Sequence, residues 1–341
     1  MQRGADIIVV GGGVMGCAAA YHLAKDGRRV VLLEQFAVGH TQGSSHGPSR
    51  IIRLAYDGVD YVRLARAAYT LWRELAAEAG ESLLFKTGGF DFGAPNAFML
   101  DGIRATYEAA GVPFEAVDRD EIVRRVPPFT LPEDTVGYYQ PDYSLLAADR
   151  CVATLAAQAR RWCATIEEGD AAQDVRATRD GVEVRTHHAT YRAGGLVLCA
   201  GSWMRPLLRQ LGADLPLRVR KEQLAFFEPR DPSAFMPDRF PLGKLTPENW
   251  LSWSREAKEE SRDEPESPRE IAGASPPVSS GHRRRVHFDQ DFMVPGRGFR
   301  DLLQLETLGR SKSTVHDRLH VSSHEPASGQ APSTSPRVPS D

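Results

Sequence analysis

The chain has 341 residues, 41% of them hydrophobic, with 42 basic and 45 acidic side chains and a formal net charge of -3. That length allows two domains, or one large domain with a tail, and the charge balance argues against general electrostatic affinity for nucleic acid or an anionic membrane. No run of about 20 apolar residues is present, so no membrane span is expected. The four cysteines, Cys17, Cys151, Cys163 and Cys199, form no CxxC pair and suit a reduced, cytoplasmic setting with free thiols.

In chain order, DIIVV (6–10) is a β-branched run that predicts a buried parallel strand. Three consecutive glycines and Asp6 argue against reading this start as a signal peptide. A helix follows over VMGCAAAYHLAKDG, ending near Gly27, and RRVVLLE (28–34) is a second strand; the unit has the size of a βαβ crossover. Residues 59–80 place Tyr61, Leu64, Ala68, Leu71, Trp72 and Leu75 at helical spacing. LLFKTGGFDFG (83–93) alternates like one strand, DGIRATYEAAG and DRDEIVRRV read as short helices, and 147–163 as a longer amphipathic helix. A hairpin is expected over 174–186 with Asp180 and Gly181 in the turn, then a buried strand at 195–201, the helix WMRPLLRQLG, and a strand-like stretch at 216–229. Beyond residue 250 the chain turns charged, then rich in serine and proline, with small apolar clusters that cannot offset the entropy of ordering; 251–341 is expected to be a disordered or poorly packed tail.

Gly11-x-Gly13-x-x-Gly16 stands between the first strand and helix. Gly11 permits the tight turn, Gly13 lets a pyrophosphate approach the backbone, and Gly16 allows close helix–strand packing. Val14 and Met15 open the helix, whose N–H groups and dipole favour phosphate, while Glu34, with Gln35 after it, ends the second strand where a carboxylate can accept ribose hydroxyls. Together these point to an adenine dinucleotide, without separating NAD from FAD. HTQGSSHGPSRIIR (40–53) bears on that choice: Gly43, Ser44 and Ser45 permit close approach to a cofactor, and His46, Arg50 and Arg53 cluster beside them. A flavin enzyme acting on amino acids has use for cations that stabilise the reduced ring and for a guanidinium that grips a carboxylate with two hydrogen bonds. The competing reading is a solvated basic loop that binds nothing. Cys17 and Cys199 read as core thiols, His187 and His188 as a strand edge rather than a metal site, and HRRRVHF (282–288) as solvated tail.

The segments ADIIVVGGGVMGCAAAYHLAKDGRRVVLLEQF and HTQGSSHGPSRIIRLAY, with FKTGGFDFG, AGSWMRPLL and LPLRVRKEQLAFFEP, resemble the monomeric sarcosine oxidase family, which includes peroxisomal sarcosine/pipecolate oxidases and N-methyl-tryptophan oxidases. The resemblance covers about residues 5–242. It implies an α/β fold: a FAD-binding, Rossmann-like domain of the glutathione-reductase type (1–82 and 144–214) and a mixed-sheet α+β substrate domain (83–143 and 215–250). It further implies His46 beside the flavin, Arg50 at the isoalloxazine face, Arg53 on the substrate carboxylate, and Gly43, Ser44, Ala200 and Gly201 lining the cofactor. The implied reaction oxidises a secondary amino acid to an imine with O2 reduced to hydrogen peroxide, in a protein favoured as a monomer with no nucleic-acid or membrane partner.

Past residue 242 the resemblance stops. The family's lysine before a Gly-x-His segment and its glycine-rich stretch with a further lysine have no counterpart, and Lys244 lies in a different context. No cysteine follows Cys199, so FAD would be bound without the family's covalent link. The C-terminal part is therefore expected to be missing or aberrant, as out-of-frame translation or an alternative end would make it. The alternative outcome is a catalytically inactive member that binds FAD weakly or not at all.

Overall fold

The computed structural model describes residues 2–224, 232–236, 239–245 and 316–323. Ile7–Val10 and Val30–Glu34 are apolar without alternation until Glu34, so both faces of each strand need cover. They are the middle strands of a parallel sheet ordered Thr165–Glu168, Val30–Glu34, Ile7–Val10, Gly195–Leu198. Successive side chains go to opposite faces. Val9, Val30 and Leu32 pack with Cys17, Ala20 and Ala24 of the helix Val14–Lys25 and with Val152 and Leu155 of the helix Ala148–Arg161. Ile8, Val10, Val31 and Leu33 pack with Val175, Val182, Val184 and Tyr191 of an antiparallel meander, Asp174–Thr178, Gly181–Arg185 and Thr190–Ala193. Helices, parallel sheet and meander make three layers, with the site at the strands' C-terminal ends.

A second sheet is mixed, as the sequence implies. Its order is Leu242–Leu245, Gly89–Gly93, Val136–Gln140, Glu115–Asp118, with the first pair parallel and the others antiparallel. Phe90, Phe92, Val117, Ile122, Val126 and Phe240 form its own core. Three short antiparallel strands, in the order Arg50–Ile52, Ser144–Leu146, Leu84–Lys86, form a smaller sheet of their own. Leu217–Leu224 pairs antiparallel with His316–Ser323.

Four details depart from the sequence reading. The stretch 83–93 is two strands in different sheets, because Gly88 takes φ 67 and a Cβ there would fall 2.3 Å from the Tyr139 hydroxyl. In the 174–186 hairpin Gly181 pairs with Thr178, so Arg179 and Asp180 make the turn, one position earlier than expected. The helix Val59–Ala79 buries Val62, Ala65, Tyr69 and Leu75, while Tyr61, Leu64 and Leu71 are 61%, 67% and 45% exposed. Two apolar stripes one residue apart share the same spacing there. Burial of Tyr69, whose hydroxyl donates to Ile52 O at 2.8 Å, selects between them. Finally, His316–Ser323 is a strand within the stretch expected to be disordered; the rest of 251–341, including 282–288, lies outside the described residues.

Candidate cofactor and substrate site

The turn after Ile7–Val10 is closed by backbone contacts. Gly11 N donates to Leu33 O at 2.8 Å with φ 104, and a Cβ on Gly16 would lie 1.7 Å from Gly11 O. The helix that follows has Gly13 as its cap and no side-chain cap of its own. Ser45, 31 residues on, supplies one: its Oγ accepts from Val14 N at 3.0 Å. A Cβ on Gly13 would come 3.0 Å from that same oxygen, so the small residue admits the loop to the helix end.

Glu34 is buried, and its carboxylate holds the turn from the other side. Oε2 accepts from Gly12 N at 2.5 Å and Oε1 from Phe36 N at 2.9 Å. His40 approaches the same carboxylate, Nε2 to Oε1 at 3.5 Å; its Nδ1 accepts from Gln42 N at 3.0 Å, so Nε2 carries the ring proton. Cys17 Sγ donates to Gly12 O at 3.2 Å, and burial, reinforced by the Glu34 charge, pushes the thiol up to about 12. Cys199 is half-buried on the cavity wall rather than in the core, and burial raises its thiol as well.

The loop 43–49 is tied down at several points. His46 is buried and its Nδ1 donates to Gly43 O at 2.6 Å, since a carbonyl can only accept. Gly47 N donates to Asp149 Oδ1 at 2.7 Å, and Asp149 N donates back to Gly47 O at 3.1 Å. Arg50 is the loop's staple: its guanidinium donates to Ser44 O at 2.6 Å, His46 O at 2.7 Å and Ser49 O at 2.7 Å. Arg53 Nε donates to Ala55 O at 3.3 Å, and its guanidinium carbon lies 5.5 Å from the Tyr56 ring centre.

These parts enclose a cavity of about 730 Å³. Of the residues singled out in the sequence, Gly11, Gly13, Val14, Met15, Glu34, Gln35, Gly43, Ser44, His46, Ala200 and Gly201 line it. Gly16 lies behind the turn, and Arg50 and Arg53 are outside the walls. Ser45, read with Gly43 and Ser44 as able to approach a cofactor, lines it too, while His40, Asp149, Gln173 and Trp203 also line the cavity and were not singled out. His40 opens the same stretch as Gly43 and Ser44; the other three come from distant segments with no shared motif. Lys244, set aside on sequence grounds, is buried and is the register neighbour of Asp91 in the adjacent strand. No cluster of three or more His, Cys, Asp or Glu able to hold a metal occurs among the described residues.

The geometry fits an adenine dinucleotide. The volume is that of a small-molecule site. A helix N-terminus stands at one wall to receive phosphate. Glu34 uses one lone pair on each oxygen for backbone N–H groups and keeps others for ribose hydroxyls.

Comparison with known proteins agrees with this geometry. The family model described as FAD dependent oxidoreductase matches residues 6–254, and the chain belongs to that family. It is 35% identical over 226 residues to monomeric sarcosine oxidase of Bacillus sp. (strain B-0618), covering 65% of this chain and 58% of that protein. It is 34% identical over 232 residues to human peroxisomal sarcosine oxidase, covering 67% and 59% respectively. N-methyl-L-tryptophan oxidase of Yersinia pestis is 31% identical, covering 60% of this chain and 56% of that one. The chain thus spans about three fifths of the length of these relatives. Among solved structures, the open form of NikD, an unusual amino acid oxidase essential for nikkomycin biosynthesis, superposes with TM-score 0.64 at 30% identity, covering 72% of this chain and 64% of its own. Glycine oxidase from Geobacillus kaustophilus, at 22% identity and TM-score 0.62, shares the fold. Among the described residues no helix is long and apolar enough to cross a membrane.

Proposed function

We propose that this chain binds FAD without a covalent link and oxidises a secondary amino acid of the sarcosine, pipecolate or N-methyl amino acid type. The observation that carries the reading is one cavity running from the glycine turn and Glu34 to the buried His46. Glu34 would hold the ribose, the N–H groups opening the helix Val14–Lys25 the pyrophosphate, and the backbone of Gly43, Ser44, Ala200 and Gly201 would line the ring system. When bound, FAD supplies the two-electron acceptor for hydride leaving the carbon next to the amine nitrogen. With FAD bound, the nitrogen lone pair would close the C=N bond as the hydride leaves, water would hydrolyse the imine, and the electron pair would end with two protons on O2 as hydrogen peroxide.

The parts given to His46 and Arg50 are supported by their bonding, and that of Arg53, which lies outside the cavity walls, by the family resemblance. Arg53 would orient substrate by pairing its guanidinium with the carboxylate. His46 commits Nδ1 to Gly43 O, so any proton it exchanges with substrate passes through Nε2. Arg50 fixes the loop through three carbonyls and adds a permanent positive charge that favours an anionic cofactor. The test is the spectrum of the purified chain and a peroxide assay with N-methylglycine. Flavin absorbance released by acid, with peroxide formed, supports the reading; a chain that binds NAD and no flavin overturns it. A second reading, a family member that folds without turnover, is favoured by the chain's matching only 58% of the Bacillus enzyme's length. It expects flavin absorbance without peroxide, or a colourless protein.

A further inference from the structure

The strand Gly89–Gly93 carries one charged residue, Asp91, between Phe90 and Phe92. The phenylalanines face the core around Ile122 and Val126, so Asp91 faces the other way. It is 1% exposed, and the equally buried Tyr143 donates its hydroxyl to Oδ2 at 2.5 Å. Gly89 makes room for this: a Cβ there would lie 2.4 Å from the Tyr143 ring. Tyr143 immediately precedes the strand Ser144–Leu146, which pairs with Arg50–Ile52 so that Ile52 faces Ser144. Continuing that register by one residue sets Arg53 opposite Tyr143. The Tyr69 hydroxyl sits at this junction, bonded to the carbonyls of Ile52 and Asp142. The Tyr143 and Tyr107 phenols are raised by burial first; the Asp91 charge raises them further and the Arg53 charge opposes it, which puts both charges around one pair of rings.

We propose that the Asp91–Tyr143 pair is a positioning element for Arg53, holding its guanidinium in register for a carboxylate-bearing substrate. The inference rests on the reading of Arg53 as the carboxylate-binding residue. A two-bond grip requires the fork to be oriented as well as near. Tyr143, held at its hydroxyl by Asp91 and crowded at its ring by Gly89, is a fixed ring at the position that continues the register opposite Arg53. Asp91 also sets a negative charge on the inner face of the substrate sheet, beside Lys244 in the neighbouring strand.

The test is calorimetric titration of the full, FAD-loaded chain with methoxyacetate, a carboxylate with no amine to oxidise, and with its neutral amide, for the unsubstituted protein and for Asp91→Asn, Tyr143→Phe and Arg53→Ala. Tyr143→Phe keeps the ring and removes its bond to Asp91; Asp91→Asn keeps shape and an acceptor for the tyrosine and is the control in which the clamp survives. Tyr143→Phe is expected to weaken methoxyacetate binding about tenfold or more, with affinity for the amide and for FAD within about twofold, and Asp91→Asn to stay within about twofold for every ligand. A merely structural role would weaken both ligands alike. Should Arg53→Ala discriminate between the ligands while Tyr143→Phe does not, this inference falls and the reading of Arg53 stands. Should Arg53→Ala treat both alike, or the unsubstituted chain bind neither, the carboxylate reading falls and takes the inference with it.

Discussion

The region around the parallel sheet and the region around the mixed sheet are built from different materials. In the first, backbone makes the cavity wall: a glycine turn, a helix N-terminus and main chain of the 43–46 loop face the cavity, and Glu34 holds backbone N–H groups in place. In the second, side chains reach across from one sheet to another, as Tyr143 does to Asp91 over Gly89. A backbone site is set by local residue spacing and tolerates no added atom. A cross-sheet site is set by register and tolerates shape-preserving changes that alter only its chemistry.

The sharpest way to break that contrast is Gly16→Ala. Its methyl would fall 1.7 Å from Gly11 O, a main-chain atom that can retreat only by opening the turn. A loss of about 4 kcal/mol or more is expected, with flavin absorbance gone, measured by thermal unfolding and by the spectrum of the purified protein. A soluble variant with full flavin content would show that the turn yields more readily than its backbone contacts imply.

Glu34→Gln tests the same half with the shape kept. The carboxylate accepts from Gly12 N and Phe36 N on separate oxygens; the amide has one oxygen, so one of these N–H groups must face an NH2. Stability should fall by about 1–3 kcal/mol, read from urea midpoints at constant slope. FAD titration should show affinity falling by about tenfold or more, because the ribose loses its acceptor as the turn loosens. Unchanged FAD affinity in a destabilised protein would assign Glu34 to the fold alone.

What could be read from the sequence divides along the same line. Gly11, Gly13, Gly16 and Glu34 were legible because strand, turn, helix and acid lie within one short βαβ unit, and the His46 loop because its unusual residues are contiguous. The cap on the helix was not legible: Ser45 reaches Val14 from 31 residues away, and nothing local distinguishes it from Ser44. His40 carried no signal in the sequence, and folding sets it 3.5 Å from Glu34. The buried face of Val59–Ala79 was ambiguous because two stripes satisfy one period, and Tyr69's bond to Ile52 decides between them. Asp91 and Lys244 were invisible as a pair, since parallel strands bring together residues more than 150 positions apart. The mixed sheet matched what the family resemblance implied, and the parallel sheet what the apolar runs 6–10, 28–34 and 195–201 predicted.

The smallest expected effect concerns the cavity wall that the meander supports. Gly169 N donates to Phe36 O at 2.7 Å and Asp170 N to Glu34 O at 2.9 Å, which places Ala171, Ala172 and Gln173 at the cavity. The buried Asp170 carboxylate anchors this turn by accepting from Thr186 Oγ at 2.8 Å, His188 Nδ1 at 2.9 Å and Tyr191 OH at 3.3 Å. Burial works to raise its pKa, but the bonds from Thr186 and His188 outweigh it and hold the carboxyl below its ordinary value. A carboxylate depressed on folding stabilises the protein above its unfolded pKa, about 4, and loses that contribution as pH falls through the lower folded value. His188 is 71% exposed, so its share is screened and the total is modest, about 1 kcal/mol. Asp170→Asn should therefore cost about that much at pH 7, and the gap from the unsubstituted protein should close as the pH is taken below about 4. Urea midpoints across pH 3–7 measure it, and a gap that stays constant over that range would mean the anchor acts through shape and hydrogen bonding without its charge.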